Sequence, residues 1–184
     1  MNHIVAAILL FDKGARRLGI FGMWMACVIL VFMVGHVLVE IVLRAALSKS
    51  TYVLDEFVGY GISATTFLSL AYALRRGVMI RVNLFLGALA PEGSGRQVLE
   101  IVCGALTACA CGIVARYFWI SVARHFERGT ASETIAAVPM WIPEGLVLAG
   151  LIILEIELIA FVFRAAMGMA SFEEDSRAKP MSTE

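Results

Sequence analysis

Eighteen consecutive uncharged residues, Phe57 to Leu74, constrain the fold of this chain more than any other feature of its sequence. The acidic pair Asp55–Glu56 precedes them and the basic pair Arg75–Arg76 follows them. A helix needs about twenty apolar residues to cross the hydrocarbon core of a bilayer. The run therefore predicts a membrane-spanning helix with a charged boundary at each end.

The composition of the whole chain supports the same conclusion. Of its 184 residues, 60% are hydrophobic and 16% are charged, whereas about a quarter of the residues of a soluble domain are charged. The predicted spans are about 20–43, 57–74, 98–120 and 141–163. We predict an all-α integral membrane protein with a single domain over 1–170 and a disordered tail over 171–184.

Charge and cysteine usage exclude several classes of function. The formal net charge of zero gives no electrostatic reason to expect a nucleic acid partner. The four cysteines all lie inside apolar runs, without the CxxC or cysteine–histidine spacing of a zinc site. We therefore predict neither a metal site nor another cofactor.

Lysine and arginine residues are distributed unequally between the two sides of the predicted bundle. The N-terminal arm, the loop between the second and third spans and the C-terminal end hold ten of them, and the two opposite loops hold four. Cytoplasmic segments of membrane proteins carry an excess of these residues. Both termini are therefore predicted to lie in the cytoplasm (N-in/C-in), with the loop 123–139 exposed outside.

The segment 78–90 is apolar, but its thirteen residues are too few for a span. It contains Arg81 and Asn83, and Pro91 ends it. We predict an amphipathic helix that lies flat in the membrane interface or against a partner protein. The apolar face of this helix would carry Val78, Val82, Phe85 and Leu89.

Residues 4–17 predict a second interfacial helix. Ile4, Ile8 and Phe11 share one helical face, while the charged residues of the segment lie mostly on the other. The alternative is that the segment is the frayed start of the first span.

Two glutamates in the fourth span, Glu155 and Glu157, lie in the inner half of the membrane when counted from Trp141. An unpaired charge near the middle of a bilayer costs about 2.5–3.5 kcal/mol. We expect Glu157 close to Arg164. Glu155 is expected to pair with a basic group such as Arg75 or Arg76, or with another subunit, and snorkelling at a shallow helix end is the alternative.

At the opposite side of the membrane, Glu40 lies four residues before Arg44, which is the spacing of an ordinary helical ion pair. Glu40 could otherwise be the carboxylate of a small proton-coupled exporter. Arg44 with Asp55 or Glu56 is expected to brace the outer hairpin. The candidate ion pairs or subunit contacts are thus Arg44, Asp55, Glu56, Arg75, Arg76, Arg81, Glu155 and Glu157.

Two stripes of small residues recur every four positions, one in the second span and one in the third. Small residues at this spacing let membrane helices approach closely, so we expect the stripes to face each other, with chance recurrence as the alternative. The stripes are Gly61, Thr65, Ser69 and Ala73, and Gly104, Ala108 and Gly112.

His36 and His125 lie at similar depth and could ligate a haem, since neutral imidazole is a common axial ligand. His125 is placed beyond the aromatic residues that end the third span, where no closed apolar pocket is evident. We therefore expect packing histidines with hydrogen bonds rather than haem ligands.

The order of these elements resembles the small, DctQ-type membrane subunit of tripartite ATP-independent periplasmic (TRAP) transporters, over roughly 14–166. The similar features are an arginine that ends the first span, an acidic pair, and a second span that ends in a basic residue and glycine. A glycine, a polar stretch and a proline–tryptophan entry to the fourth span follow. Here these are Arg44, Asp55–Glu56, Arg75–Arg76–Gly77, Gly129, Pro139–Met140–Trp141 and Pro143.

This resemblance implies a non-catalytic subunit in a bacterial inner membrane. Its partners would be the bilayer, a large DctM-type membrane subunit that carries the ion and solute sites, and a DctP-type extracytoplasmic substrate-binding protein. The implied role is a scaffold during ion-coupled uptake of an organic acid or similar solute. A b-type cytochrome or other small redox protein, and a stand-alone exporter, are the alternatives.

Overall fold

A computed structural model describes residues 2–76 and 94–167 of the protein. The described residues form four α-helices, each long and apolar enough to cross a membrane. The predicted all-helical fold with four spans is therefore confirmed. The helices are α1 (Asn2–Leu47), α2 (Leu54–Arg75), α3 (Ser94–Arg128) and α4 (Trp141–Ala166).

Several predictions fall on residues outside this description. They concern the segment 78–90 with its face of Val78, Val82, Phe85 and Leu89, the candidate contact Arg81, and the tail 171–184. The orientation of the bundle also stays a prediction.

The first helix is longer than predicted, because α1 is continuous over 46 residues. At 1.5 Å per residue it is about 69 Å long, which exceeds the 40–45 Å of a bilayer with its headgroups. The predicted interfacial segment 4–17 and the predicted span 20–43 are parts of this one helix. No proline occurs between them, and the alanine, arginine and leucine residues at 15–18 favour a helix.

The third helix also extends beyond its predicted end. The loop was expected to begin at Ala123, but α3 continues to Arg128. It ends at Gly129, whose φ of 60° is the left-handed conformation that glycine adopts without strain. The amides of Gly129 and Thr130 donate to the carbonyls of Phe126 and His125, which is the Schellman pattern of a helix end.

The fourth helix is the centre of the bundle, because it packs against α1, α2 and α3. It approaches the backbone of α2 closely at Gly150. A Cβ built at Gly150 would lie 2.5 Å from the backbone carbonyl carbon of Phe67, so only glycine fits there. The buried side chains around this contact are Ala26, Ala64, Leu68, Ala71, Leu154 and Leu158.

The predicted pairing of the two small-residue stripes is wrong. Gly61 of α2 faces Met33 of α1, and Gly104 of α3 faces Phe161 of α4. Within the described residues α2 and α3 have no extensive contact, since α4 packs against both. Each stripe therefore serves a different neighbour.

Candidate functional site

Four charged side chains from three helices meet at the end of the bundle where α2 ends. We call them the charge ring: Asp12 of α1, Arg75 of α2, and Glu157 and Arg164 of α4. Arg75 is the last residue of α2, and Arg164 lies in the last turn of α4. A cation near a helix C-terminus is favoured by the helix dipole, so both arginines suit their positions.

Acids and bases alternate around the charge ring. Arg75 donates from Nε to Oε1 of Glu157 at 2.8 Å and from Nη2 to Oε2 at 2.9 Å. The same Nη2 lies 2.9 Å from Oδ1 of Asp12. Arg164 closes the ring, because it donates to Asp12 and, at 3.2 Å, to Glu157. Two cations and two anions therefore cancel within the ring.

Burial makes the ion pairs of the charge ring important for the stability of the fold. The Glu157 side chain is 1% exposed, and the other three members are between 18% and 21% exposed. A buried carboxylate that loses its partner costs about 3–5 kcal/mol, because no water replaces the lost contact. The charge ring therefore ties α1, α2 and α4 to one another.

The structure excludes one of the predicted partners of Glu155. Arg75 binds Glu157 rather than Glu155, and the expected closeness of Glu157 to Arg164 is observed. Glu155 instead faces α3, with Oε1 3.6 Å from the Cβ position of Gly112. Its buried Oε2 has no hydrogen-bond partner among the described residues.

Arg76 is not part of the charge ring. Its side chain is exposed and lies over the ring of Tyr72, whose hydroxyl accepts a hydrogen bond from Nε at 3.0 Å. The sequence singled out Arg75 and Arg76 together, and only the fold separates their roles.

Asp12 is the ring member that sequence reasoning missed. Helical periodicity predicts that Asp12 lies on the polar face of an interfacial helix, together with Lys13, Arg16 and Arg17. One signal could have found it, since Asp12 is the only acidic residue before Glu40. A lone carboxylate at the start of a long apolar helix needs a cation, and the cations come from α2 and α4.

The opposite end of the bundle, which we call the hairpin end, is held by Glu40. This carboxylate is 1% exposed and accepts hydrogen bonds from Arg44 at 2.8 Å, from the Thr51 amide at 3.1 Å, and from the hydroxyls of Ser50 and Thr51. The i, i+4 ion pair with Arg44 is as predicted. The expected pairing of Arg44 with Asp55 or Glu56 is wrong. Arg44 binds Glu40 instead, and the polar residues that link α1 to α2 fold over the Glu40 carboxylate.

The other two predicted residues at the hairpin end differ in their surroundings. Asp55 is exposed. Glu56 accepts hydrogen bonds from the Tyr60 hydroxyl at 2.8 Å and from the Thr134 hydroxyl, and so attaches the loop between α3 and α4 to α2. His125 lies 3.3 Å from Glu144, which connects α3 to α4.

His125 and His36 are engaged separately. His125 Nδ1 is 2.5 Å from the Thr130 hydroxyl, while His36 packs edge-on against Phe57 with 5.6 Å between ring centroids. Within 2–76 and 94–167, no three His, Cys, Asp or Glu side chains come together as a possible metal site.

These features define a multi-pass membrane protein whose four helices are fastened to each other by polar contacts at both ends. The chain belongs to the DctQ family: residues 33–168 match the model described as tripartite ATP-independent periplasmic transporters, DctQ component. It is therefore the small membrane subunit of a TRAP transporter. No curated protein and no solved structure matches the chain.

Proposed function

We propose that this subunit is a static scaffold for a large DctM-type membrane subunit. The large subunit would carry out ion-coupled uptake of an organic acid or similar solute, delivered by a DctP-type extracytoplasmic binding protein. The location would be a bacterial inner membrane, with both termini in the cytoplasm. The chain itself would bind lipid and protein partners, with no role for nucleic acid.

The observation that carries this proposal is the charge ring. In alternating access one rigid part of an assembly rocks against another around the binding site, so the assembly also needs a part that keeps its shape. In this subunit Arg75 and Arg164 each bind both Asp12 and Glu157. A closed set of buried ion pairs suits a frame that stays still.

The exposed apolar surfaces support a partner in the membrane. In the most apolar stretch of α1, only 11% is buried within the described structure. The share is also 11% for α3, whereas it is 50% for α4. Exposed residues on these helices include Trp24, Val31 and Leu106. Such faces suit lipid on some sides and a second membrane protein on others.

The interfacial segments extend the proposal beyond the bundle. We propose that 78–90 lies flat in the interface. The start of α1 continues the spanning helix beyond the charge ring, where its exposed Leu9 and Leu10 would contact lipid or a partner protein. Both segments would widen the footprint of the subunit and resist tilting.

Reconstitution tests the proposed function. We expect no solute uptake by vesicles that contain this subunit alone. Vesicles with the large subunit and the binding protein should show little uptake until this subunit is added. Uptake by the subunit alone, or undiminished uptake without it, would contradict the scaffold role. A visible spectrum of the purified chain tests the alternative that the protein is a b-type cytochrome, because a cytochrome would show haem absorption.

A further inference from the structure

Arg116 is an exposed arginine within the membrane-spanning part of α3. Its depth follows from the contacts of α3 with α4. Gly112, one turn before Arg116, faces Glu155, and His125, nine residues after it, lies 3.3 Å from Glu144. Because the two helices run antiparallel, Arg116 is level with the middle of α4.

The middle of α4 is deep in the membrane, because Gly150 lies against the backbone of Phe67 in α2. Phe67 belongs to the uncharged run 57–74, seven residues or about 10 Å from the nearer end of that run. In the other direction, the contact between His125 and Glu144 is about 14 Å from Arg116 along α3. Arg116 therefore lies well inside the hydrocarbon region, where an unpaired charge is costly.

No group in the described part of the chain pairs with Arg116. It makes no hydrogen bond, ion pair or ring contact within 2–76 and 94–167. The carboxylate nearest in depth is Glu155, but that side chain points into the contact between α3 and α4, where its Oε2 is buried. The charge of Arg116 is instead presented at the outer surface of the bundle.

The surface around Arg116 is apolar. Exposed side chains recur along α3 at intervals of three or four residues, so they share one face of the helix. We call this surface the α3 face: Leu106, Cys109, Ile113, Arg116, Tyr117 and Ile120. Arginine and tyrosine are the residues that most often contribute strongly to protein–protein binding, especially at the centre of an apolar patch.

Depth decides what can neutralise Arg116. A soluble protein does not reach into the hydrocarbon, and a lipid phosphate lies in the headgroup layer beyond the end of the uncharged run. A second copy in the same orientation presents the same residues at the same depth, and its described carboxylate nearest that depth is again the inward-pointing Glu155. The remaining candidate is a membrane protein of different sequence that carries a carboxylate within the bilayer.

We propose that the α3 face binds a transmembrane helix of the large DctM-type subunit, and that an aspartate or glutamate of that helix pairs with Arg116. This inference rests on the scaffold function proposed above. Apolar side chains on both helices pack around the pair, as is typical of helix association in membranes. The pair forms only in the complex and fixes the depth at which the two subunits meet.

Association of the two purified subunits in phosphatidylcholine vesicles, followed by energy transfer between attached dyes, tests this inference. Arg116→Leu should weaken association about tenfold, equivalent to about 1.4 kcal/mol. Arg116→Lys keeps a cation and should lose less. Arg124→Leu removes an exposed charge from the same helix beside His125, outside the α3 face, and should change nothing. Equal affinity of Arg116→Leu and the unmodified subunit would overturn the inference, whereas an unmodified subunit that does not bind would overturn the scaffold function itself.

Two further measurements identify the partner of Arg116. In the isolated subunit, Arg116→Leu should leave the midpoint of thermal unfolding unchanged or higher, because no contact within the chain is lost. A lower midpoint would show that Arg116 has a partner in its own chain and would overturn the inference. p-Benzoylphenylalanine in place of Tyr117 should crosslink to the large subunit in the assembled transporter. Crosslinks to lipid only, or to a second copy of this chain, would contradict the proposed partner.

Discussion

Arg75 at the end of α2 binds the carboxylate of Glu157 on α4 side-on, with two hydrogen bonds of 2.8 and 2.9 Å. Such bidentate pairs are stronger and more specific in geometry than single contacts. Glu157 has almost no exposure to solvent, so this pair decides how α2 and α4 meet at the end of the bundle that carries the charge ring. Asp12 and Arg164 extend it into a closed ring.

Arg75→Met should destabilise the protein strongly. Glu157 would lose both bonds from Arg75 and keep only the 3.2 Å contact from Arg164, so we expect most of the about 3–5 kcal/mol that leaving a buried charge unpaired costs. The free energy of unfolding in detergent micelles measures the loss. Arg76→Met is the matched control, and we expect it to change stability by no more than about 0.5 kcal/mol because its side chain is exposed.

A double variant sharpens this prediction. Arg75→Met combined with Glu157→Met removes both charges, and apolar residues of similar volume often replace a buried pair without loss. The double variant should therefore regain most of the stability that the single variant loses. If the double variant is no more stable than Arg75→Met, the lost ion pair is not the cause of the lower stability of the single variant.

Asp12→Asn should weaken the attachment of α1, with a smaller loss of about 1–2 kcal/mol. The loss is smaller because Arg75 and Arg164 both keep Glu157 as a partner. The thermal unfolding of the variant in micelles reports it. Lys13→Gln is the control, since Lys13 is exposed beside Asp12. Equal midpoints for the two variants would exclude Asp12 from the charge ring.

Gly150→Ala should push α2 and α4 apart. The new methyl group would lie 2.5 Å from the backbone of Phe67, and a backbone atom cannot turn away as a side chain can. We expect a loss of about 1–3 kcal/mol, which is typical of overpacking. Gly145→Ala on the same helix has no neighbour within 4 Å and should be neutral or more stable by about 0.5–1 kcal/mol. Equal effects at the two positions would contradict the close approach.

Cysteine labelling tests the predicted orientation. After replacement of the four native cysteines, Ser132→Cys should react with an impermeant reagent on intact spheroplasts. Ser182→Cys should react only after the membrane is opened. The reason is the ten-to-four asymmetry of lysine and arginine between the two sides. The reverse labelling pattern would show that both termini lie outside and the loop 123–139 lies in the cytoplasm.

The apolar runs determined the number and approximate place of the spans. A helix in a bilayer satisfies its backbone hydrogen bonds within itself, so length and hydropathy are sufficient to identify it. The Glu40–Arg44 pair followed from sequence for a similar reason, because residues four apart on one helix are neighbours whatever the rest of the fold does. Glu40's further bonds to Ser50 and Thr51 depend on the turn between α1 and α2, which the sequence pattern did not reveal.

Tertiary structure alone decided which charges meet. Glu155 and Glu157 are two residues apart, so they point about 200° apart around α4, and only the rotation of that helix assigns Glu157 to Arg75 and Glu155 to α3. Likewise, because α4 packs against both α2 and α3, Gly61 in the stripe of α2 faces Met33 of α1 and Gly104 in the stripe of α3 faces Phe161 of α4. Asp12 joined the charge ring because α1 continues without a break past the predicted boundary at residue 20. Local periodicity determines what a helix buries, whereas the order and rotation of the helices determine what the buried groups touch.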